Sequence, residues 1–203
     1  RVQVVESTGS TNADLVAHIR AGAEEFPHLS LVVTTDQRTG RGRLDRTWVA
    51  PAGAALAASV ALHVEGLPVA SRGWIPLIAG AAMVQAVRAQ LEGRGHTVML
   101  KWPNDVLVDG QKLCGILAEA VAGEPHVVVV GAGVNTFMDA AQLPVPTATS
   151  FAVLGAQAEE DLLLAGWLTA LDLALSALIS ANGDATASGV RADVQKDTAT
   201  IGA

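Results

Sequence analysis

With 203 residues, half of them apolar, the chain is long enough to bury the core of one large domain. Its formal net charge of −7 argues against general binding to nucleic acid or to an anionic membrane. A single cysteine excludes an internal disulfide, and no apolar run approaches about 18 residues. Since the first residues do not resemble a secretory leader either, we expect a cytoplasmic protein.

The first half of the chain predicts three strands and two helices. "RVQVVE" predicts a short strand, and "STNADLVAHIRAG" predicts a helix that is capped by Ser10 or Thr11 and ends before Gly22. "LSLVVTTD" predicts a buried strand. "GAALAASVALHV" predicts another, although its alanines leave a helix open. Apolar residues recur at helical spacing over residues 75–91, with Pro76 tolerated in the first turn.

The second half predicts consecutive strands and a long helix. The strands are "HTVMLKW", "DVLVDGQKLCGILAEAV" and "PHVVVVGAGVN", and Asp109–Gly110 is typical of a tight hairpin turn. A core-facing apolar stripe is predicted for Leu162, Leu163, Trp167, Leu171, Leu175 and Leu178. This order predicts an α+β fold with a mixed, mostly antiparallel sheet backed by helices.

Positive charge is concentrated in "TGRGRLDRTW". Four of the 13 basic residues fall within nine positions: Arg38, Arg41, Arg43 and Arg46. Guanidinium groups match a carboxylate or phosphate with paired hydrogen bonds, and the interleaved glycines let the backbone approach a ligand. A solvated basic loop is the alternative. A Walker P-loop is excluded, because the sequence has no GxxxxGK[ST].

Two further polar motifs follow. "KWPND" places Lys101, Asn104 and Asp105 between a strand and a hairpin, where a solvated polar turn is the alternative. In "QKLCGIL", Lys112 precedes the next strand and is either functional or solvated, whereas Cys114 fits a small buried hydrophobe better than a nucleophile. The five histidines lack metal-ligand spacing, and there is no GxSxG. The remaining set suits anion binding and nucleotidyl chemistry.

Taken together and in order, "STGSTN", "GRGRxxRxW", "KWPND", "KLxGIL" and "GAGVN" resemble the biotin–protein ligases (biotin—[acetyl-CoA-carboxylase] ligases) over residues 7–135, and "PTATS" at 146–150 also fits. The resemblance implies the fold shared with lipoate–protein ligases. It also implies conversion of biotin and ATP, with Mg²⁺, to biotinyl-5′-AMP. The biotinyl group would then pass to a lysine of the biotin carboxyl carrier protein domain of an acyl-CoA or pyruvate carboxylase.

The resemblance assigns roles to individual residues. It implies a catalytic group of Arg41, Arg43, Lys101, Asp105 and Lys112. It implies a biotin site of Ser10, Thr11, Asn12, Gln37, Gly40, Arg41, Lys112, Gly115, Leu117 and Gly131. It implies a nucleotide site of Arg43, Trp48, Asn104, Lys112 and Asn135, with the ligands of any metal left open.

The resemblance also bears on domain organisation and partners. Residues 1–197 are expected to form a catalytic domain without an N-terminal DNA-binding domain, and 198–203 to begin a small C-terminal β domain. We expect no nucleic acid or membrane partner. Asp45 stands where the family pattern has glycine, which would place a negative charge beside the phosphates. The alternatives are a lipoate or octanoate ligase of the same fold and a non-catalytic biotin or nucleotide sensor.

Overall fold

The computed structural model describes residues 1–44 and 46–199. Its strands are β1 (Val2–Val4), β2 (Leu31–Thr34), β3 (Gly40–Arg41), β4 (Thr47–Trp48), β5 (Ala55–His63), β6 (Val98–Lys101), β7 (Asp105–Val108), β8 (Gln111–Val121) and β9 (Glu124–Asn135). Its α-helices are α1 (Thr11–Ala21), α2 (Ile75–Gln90), α3 (Glu160–Ser180) and α4 (Val190–Asp197).

Seven of these strands form one sheet in the order β1-β2-β5-β9-β8-β7-β6. Strands β1 and β2 run parallel, and the other neighbouring pairs of this sheet are antiparallel. Strands β3 and β4 form a separate two-stranded sheet. The mixed, mostly antiparallel sheet that the sequence predicts is therefore confirmed.

Helices cover both faces of the large sheet. Helices α2, α3 and α4 pack with one face into the main core, whereas α1 covers part of the other face with Leu15 and Ile19. Strand β5 is buried from Ala55 to Leu62, because neighbouring residues point into opposite but equally covered layers. Double coverage explains why this alanine-rich segment carries no alternating polar pattern and still forms a strand.

The local signals for element ends are confirmed. The hydroxyl of Ser10 accepts a hydrogen bond from the backbone N–H of Ala13, so α1 begins at Thr11 and ends before Gly22. Asp109 and Gly110 both have positive φ, 51° and 81°, as a tight hairpin turn between β7 and β8 requires. Helix α4 and the pair β3–β4 are elements that the sequence did not predict.

Helix α3 is the long apolar helix of the core. By length and composition it could cross a membrane, with a mean hydropathy of 2.0. In the fold its stripe packs against α2, and the indole N–H of Trp167 donates to the carbonyl of Ala79 at 3.0 Å. Leu162 is 69% exposed, so its place in the predicted stripe is wrong. Leu163 is buried instead, because adjacent helical residues point about 100° apart.

Candidate active site

A cavity of about 460 Å³ lies where α1, the arginine-rich segment 38–48 and strands β6–β9 meet. Fourteen of the predicted site residues line it: Ser10, Thr11, Asn12, Gln37, Arg41, Arg43, Trp48, Lys101, Asn104, Asp105, Lys112, Gly115, Leu117 and Gly131. The motifs that are separate in the sequence therefore meet at one place. Trp102, Pro103, Ile116 and Gly133 also line the cavity; they belong to the motifs "KWPND", "KLxGIL" and "GAGVN" but were not among the predicted site residues.

The floor of the cavity is a part of the sheet that lacks side chains. Gly115 of β8 and Gly133 of β9 are register partners, and Gly131 lies two residues along from Gly133 on the same face. A Cβ atom at Gly133 would lie 2.6 Å from Cε2 of Trp48, and one at Gly131 would overlap the side chain of Asn12. The glycines of "GAGVN" thus let two side chains rest directly on the backbone.

One end of the cavity is neutral and polar. It is built at the start of α1, where Ser10, Thr11 and Asn12 are all buried. The backbone N–H of Thr11 donates to Oε1 of Gln37 at 2.8 Å, and the Thr11 hydroxyl oxygen lies 3.2 Å from the same atom. Neutral donors and acceptors held in fixed positions suit an uncharged polar ring rather than an ion.

Two polar residues that the sequence analysis missed support this neutral end from behind. The Ser59 hydroxyl oxygen lies 2.7 Å from Oγ1 of Thr11 and 2.5 Å from Oδ1 of Asn12. The Asn12 amide donates to Oε2 of Glu119 at 2.7 Å. The sequence signal for Ser59 was a serine within the apolar strand β5. The signal for Glu119 was a glutamate on the same face of the sheet as Leu117.

The other end is cationic. The ammonium group of Lys112 lies 2.7 Å from Oδ1 of Asp105, and its side chain is 40% exposed. The Lys112 backbone is fixed, because its N–H donates to the carbonyl of Thr147 at 2.8 Å and its carbonyl accepts from the N–H of Thr149 at 2.9 Å. Arg43 and Lys101 also line the cavity and form no ion pair within the described residues. This end suits a carboxylate and phosphates.

The arginine-rich segment folds back on itself over the cavity. Gly40 pairs with Trp48 and Arg41 with Thr47, and a guanidinium nitrogen of Arg41 lies 3.4 Å from Oε2 of Glu119. Asp45, where the sequence departs from the family pattern, lies outside the described residues.

Two predicted site residues lie outside the cavity lining. Asn135 is buried, and its amide donates to the carbonyl of Thr149 at 2.9 Å, so it fixes the segment that holds Lys112. Gly40 is also buried, and a Cβ atom there would lie 2.6 Å from the carbonyl oxygen of Trp48. Both residues therefore support the site from outside the cavity.

Cys114 lies on the core side of β8 and is 1% exposed, in agreement with the prediction of a buried hydrophobe. Burial raises the pKa of its thiol to about 12. A thiol in this state is a poor nucleophile at neutral pH, so Cys114 contributes packing rather than chemistry.

Comparisons with known proteins agree with this geometry. Residues 4–135 match the biotin/lipoate A/B protein ligase family. A biotin–[acetyl-CoA-carboxylase] ligase of Mycobacterium tuberculosis is 40% identical over 160 residues, which are 79% of this chain and 58% of that protein. An enzyme of the same description from Paracoccus denitrificans is 36% identical over 130 residues, 63% of this chain and 51% of that protein. The chain thus spans between half and three fifths of the length of these two relatives.

Solved structures share the fold. The biotin protein ligase of Aquifex aeolicus in complex with biotin and ATP matches with a TM-score of 0.77 at 21% identity, covering 100% of this chain and 80% of that one. The enzyme of Leishmania major in complex with biotinyl-5-AMP matches with a TM-score of 0.74 at 24% identity, covering 98% and 81%. With the family match over 132 consecutive residues, the conclusion is that this chain belongs to the biotin/lipoate A/B protein ligase family.

Proposed function

We propose that the chain joins biotin to ATP as biotinyl-5′-AMP and then transfers the biotinyl group to a lysine of a biotin carboxyl carrier protein domain. The observation that carries this proposal is the two-ended cavity, with a neutral polar end at Thr11 and Gln37 and a cationic end at Lys112. Biotin has the same two ends, a cyclic urea and a carboxylate. The names of the relatives and the ligands in the Aquifex and Leishmania complexes support the choice.

Activation requires a carboxylate and a triphosphate to come within bonding distance. The carboxylate oxygen attacks the α-phosphorus, and pyrophosphate leaves. Repulsion between two unit charges 4 Å apart is about 1 kcal/mol in water but about 4 kcal/mol at an effective dielectric near 20. We assign Lys112 to the biotin carboxylate, and Arg43 and Lys101 to the phosphates, where they offset this repulsion.

In this proposal Lys112 changes its partner. Without ligand it is paired with Asp105, and the exchange of Asp105 for the biotin carboxylate leaves Asp105 without its cation. Asp105 is then placed to attract the ammonium group of the incoming carrier lysine. The carrier ammonium group first loses a proton to the surroundings, the resulting amine attacks the acyl carbon, AMP leaves, and the nitrogen loses a second proton to the surroundings as the amide forms.

The nucleotide is assigned to the outer part of the cavity. Asn104 lines it, and the Asn104 amide donates to the carbonyl of Ile116 at 2.8 Å. We place Trp48 as an apolar wall against the ligand, where it already rests on Gly133. The role of Asn135 in this assignment is indirect, through Thr149.

Mg²⁺ fits the donor set only together with ATP. Among the described residues, Asp105 is the one carboxylate that lines the cavity. The described residues contain no cluster of three or more His, Cys, Asp or Glu side chains that could hold a metal ion. Mg²⁺ in nucleotide sites is commonly bound by one or two carboxylates plus phosphates and water. Asp105 is thus the residue that would hold the ion, which supplies countercharge to the triphosphate.

The partners and location of the protein follow from the same proposal. We propose a cytoplasmic enzyme that acts on the carrier domain of an acyl-CoA or pyruvate carboxylase and binds neither nucleic acid nor membrane. The division into a catalytic domain, residues 1–197, and the start of a C-terminal β domain is proposed as well. Residues 200–203 lie outside the described residues.

Exchange of labelled pyrophosphate into ATP tests the reaction. Biotin should support exchange, whereas lipoate and octanoate at equal concentration should not. Exchange with lipoate or octanoate in place of biotin would move the chain to the rival ligase class. Biotin binding without exchange by any acid would indicate a sensor. Transfer is then checked by labelling of an isolated carrier domain and of its Lys→Arg variant.

A further inference from the structure

A line of polar side chains runs from Glu119, which is partly exposed, through buried residues to the neutral end of the cavity. Glu119 contacts Asn12, Asn12 contacts Ser59, and Ser59 contacts Thr11. Neither Glu119 nor Ser59 lines the cavity, and Ser59 is 0% exposed. Because buried polar groups require defined partners, the protons along this line have restricted positions.

The orientation of the Asn12 amide determines which groups donate and which accept along this line. Its nitrogen faces two acceptors, Oε2 of Glu119 at 2.7 Å and the carbonyl oxygen of Leu117 at 3.4 Å. A flipped amide would place its oxygen against a carboxylate and a carbonyl, so the amide oxygen faces Ser59. The contact with Glu119 thereby ensures that Oδ1 of Asn12, and not Nδ2, faces Ser59.

Ser59 has one proton for two close oxygens. Oδ1 of Asn12, at 2.5 Å, can only accept, so the Ser59 proton belongs to that contact. The 2.7 Å contact with Thr11 is then a hydrogen bond only if the Thr11 hydroxyl donates to Ser59. The Thr11 hydroxyl then has no proton to donate to Oε1 of Gln37, which lies 3.2 Å away. That oxygen already accepts a hydrogen bond from the backbone N–H of Thr11.

The cavity wall therefore presents a fixed pair of hydrogen-bonding groups, one acceptor and one donor. Thr11 keeps its hydroxyl lone pairs but no proton to offer, so it presents an acceptor to a ligand. Gln37, whose oxygen is occupied, presents its amide N–H₂, which has no protein partner within the described residues. One acceptor beside one donor matches the N–H and the C=O of a cyclic urea.

We propose that Glu119 and Ser59 are positioning residues that hold the Thr11 hydroxyl as a hydrogen-bond acceptor and so select a ring N–H over a ring oxygen. The proposal rests on the proposed function, since it takes the neutral end to be the site of the biotin urea. Arg41, which also contacts Oε2 of Glu119, balances the charge at the far end of the line.

Direct binding to the protein tests this with two probes. One is biotin, and the other is its cyclic carbamate analogue, in which a ring oxygen replaces one urea N–H. In the wild type the carbamate should bind much more weakly than biotin, because two lone pairs would face each other. Ser59→Ala leaves the Thr11 hydroxyl proton free to point into the cavity. Biotin should then bind about tenfold more weakly, whereas the affinity for the carbamate should stay the same or increase.

Glu119→Ala should reproduce this loss of discrimination, because the Asn12 amide is then free to turn. Glu119→Gln should largely restore it, since a glutamine carbonyl can still accept from Asn12. The double variant Ser59→Ala/Glu119→Ala should resemble either single variant, as expected for residues in one line. The matched controls are Ser30→Ala, a buried serine whose hydroxyl has no partner within the described residues, and Glu124→Ala, an acidic residue at the β8–β9 hairpin.

The outcomes separate the two proposals. If the wild type binds no biotin, the proposed function fails. If it binds biotin but the variants weaken both probes equally, Glu119 and Ser59 are merely structural and the positioning role is overturned. Unchanged binding in Ser59→Ala would overturn it as well. Melting temperatures identify a variant that does not fold, and Ser59→Ala, which removes a single oxygen atom, then carries the test if Glu119→Ala does not fold.

Discussion

The two ends of the cavity are built in opposite ways. At the neutral end, Thr11 and Asn12 are buried, start a helix and are hydrogen-bonded to residues of the sheet. At the cationic end, Lys112 is half exposed and forms a direct ion pair with Asp105, which is partly exposed as well. A neutral hydrogen bond depends steeply on angle and distance, whereas a charge acts over several ångströms, so only the neutral end requires a rigid frame.

This difference predicts that substitutions at the cationic end affect chemistry more than stability. Lys112→Ala should reduce biotin-dependent pyrophosphate exchange by about a hundredfold or more, the usual cost of removing one group that stabilises developing charge. The melting temperature should change little, because a half-exposed ion pair contributes about 0–1 kcal/mol. Lys196→Ala, on α4, is the matched control. An unchanged exchange rate would remove Lys112 from the reaction.

The next effect concerns retention of the intermediate. Arg43→Gly removes a charge-assisted contact worth about 1.5–3 kcal/mol and loosens the segment, so biotinyl-AMP should dissociate roughly ten- to a hundredfold faster. Exchange should persist through the remaining cations. The released mixed anhydride would then biotinylate unrelated proteins added to the mixture. Labelling confined to the carrier domain at the wild-type rate would show that Arg43 does not hold the adenylate.

At the rigid end, a single methyl group should cost stability and binding together. Gly131→Ala forces the Asn12 side chain out of its position, with an expected loss of about 1–3 kcal/mol in the free energy of unfolding. For a chain of this size that corresponds to a melting temperature lower by roughly 2–12 °C. Biotin binding should weaken in parallel. Gly73→Ala, where an added Cβ meets nothing within 4 Å, should change neither.

The smallest effect tests whether motion at the cationic end is confined to side chains. Cys114 lies beneath Lys112 on β8, and burial raises its pKa from 9.0 to about 12. Iodoacetamide at pH 8 should therefore leave the native thiol unmodified and alkylate it after unfolding. Fast alkylation of the native protein would show that β8 itself opens.

The same thiol gives a pH dependence. Between pH 9 and about 12 the unfolded thiol has lost its proton while the folded one keeps it, so the folded state binds more protons and stability falls as the pH rises. Below pH 9 this contribution is constant. Cys114→Ala should flatten the decline in the free energy of unfolding above pH 9, measured by urea denaturation.

The sequence predicted the sheet, the three longest helices and most of the cavity, because those signals are local. Apolar runs of strand length, a serine cap and a turn pair such as Asp109–Gly110 depend on residues that are neighbours in the chain. The five motifs contain every residue that lines the cavity except Gln37. Helix α4 was missed because it has eight residues, of which only two buried positions are apolar, too few for a periodic pattern.

What the sequence could not supply are partners that lie far apart in the chain. Asn12 and Glu119 are 107 residues apart, and Ser59 meets Asn12 across 47 residues. The position of Ser59 in an apolar strand signals that a polar partner lies nearby, but nothing in the sequence identifies that partner. Asn135 was assigned to the cavity because it ends a motif, but its side chain points to Thr149, a contact that depends on the segment after β9.

The fixed backbone of Lys112 has a consequence for the speed of the reaction cycle. Bonds to Thr147 and Thr149 hold the main chain on both sides of the residue, so its ammonium group changes partner by rotation about side-chain bonds alone. Such rotations take picoseconds to nanoseconds, whereas segments of the kind that carries Arg41 and Arg43 rearrange over nanoseconds to microseconds or longer. In the proposed reaction we therefore expect Lys112 to exchange its anionic partners faster than ligands enter or leave, and we expect rearrangement of the arginine-rich segment to set the rate of ligand exchange.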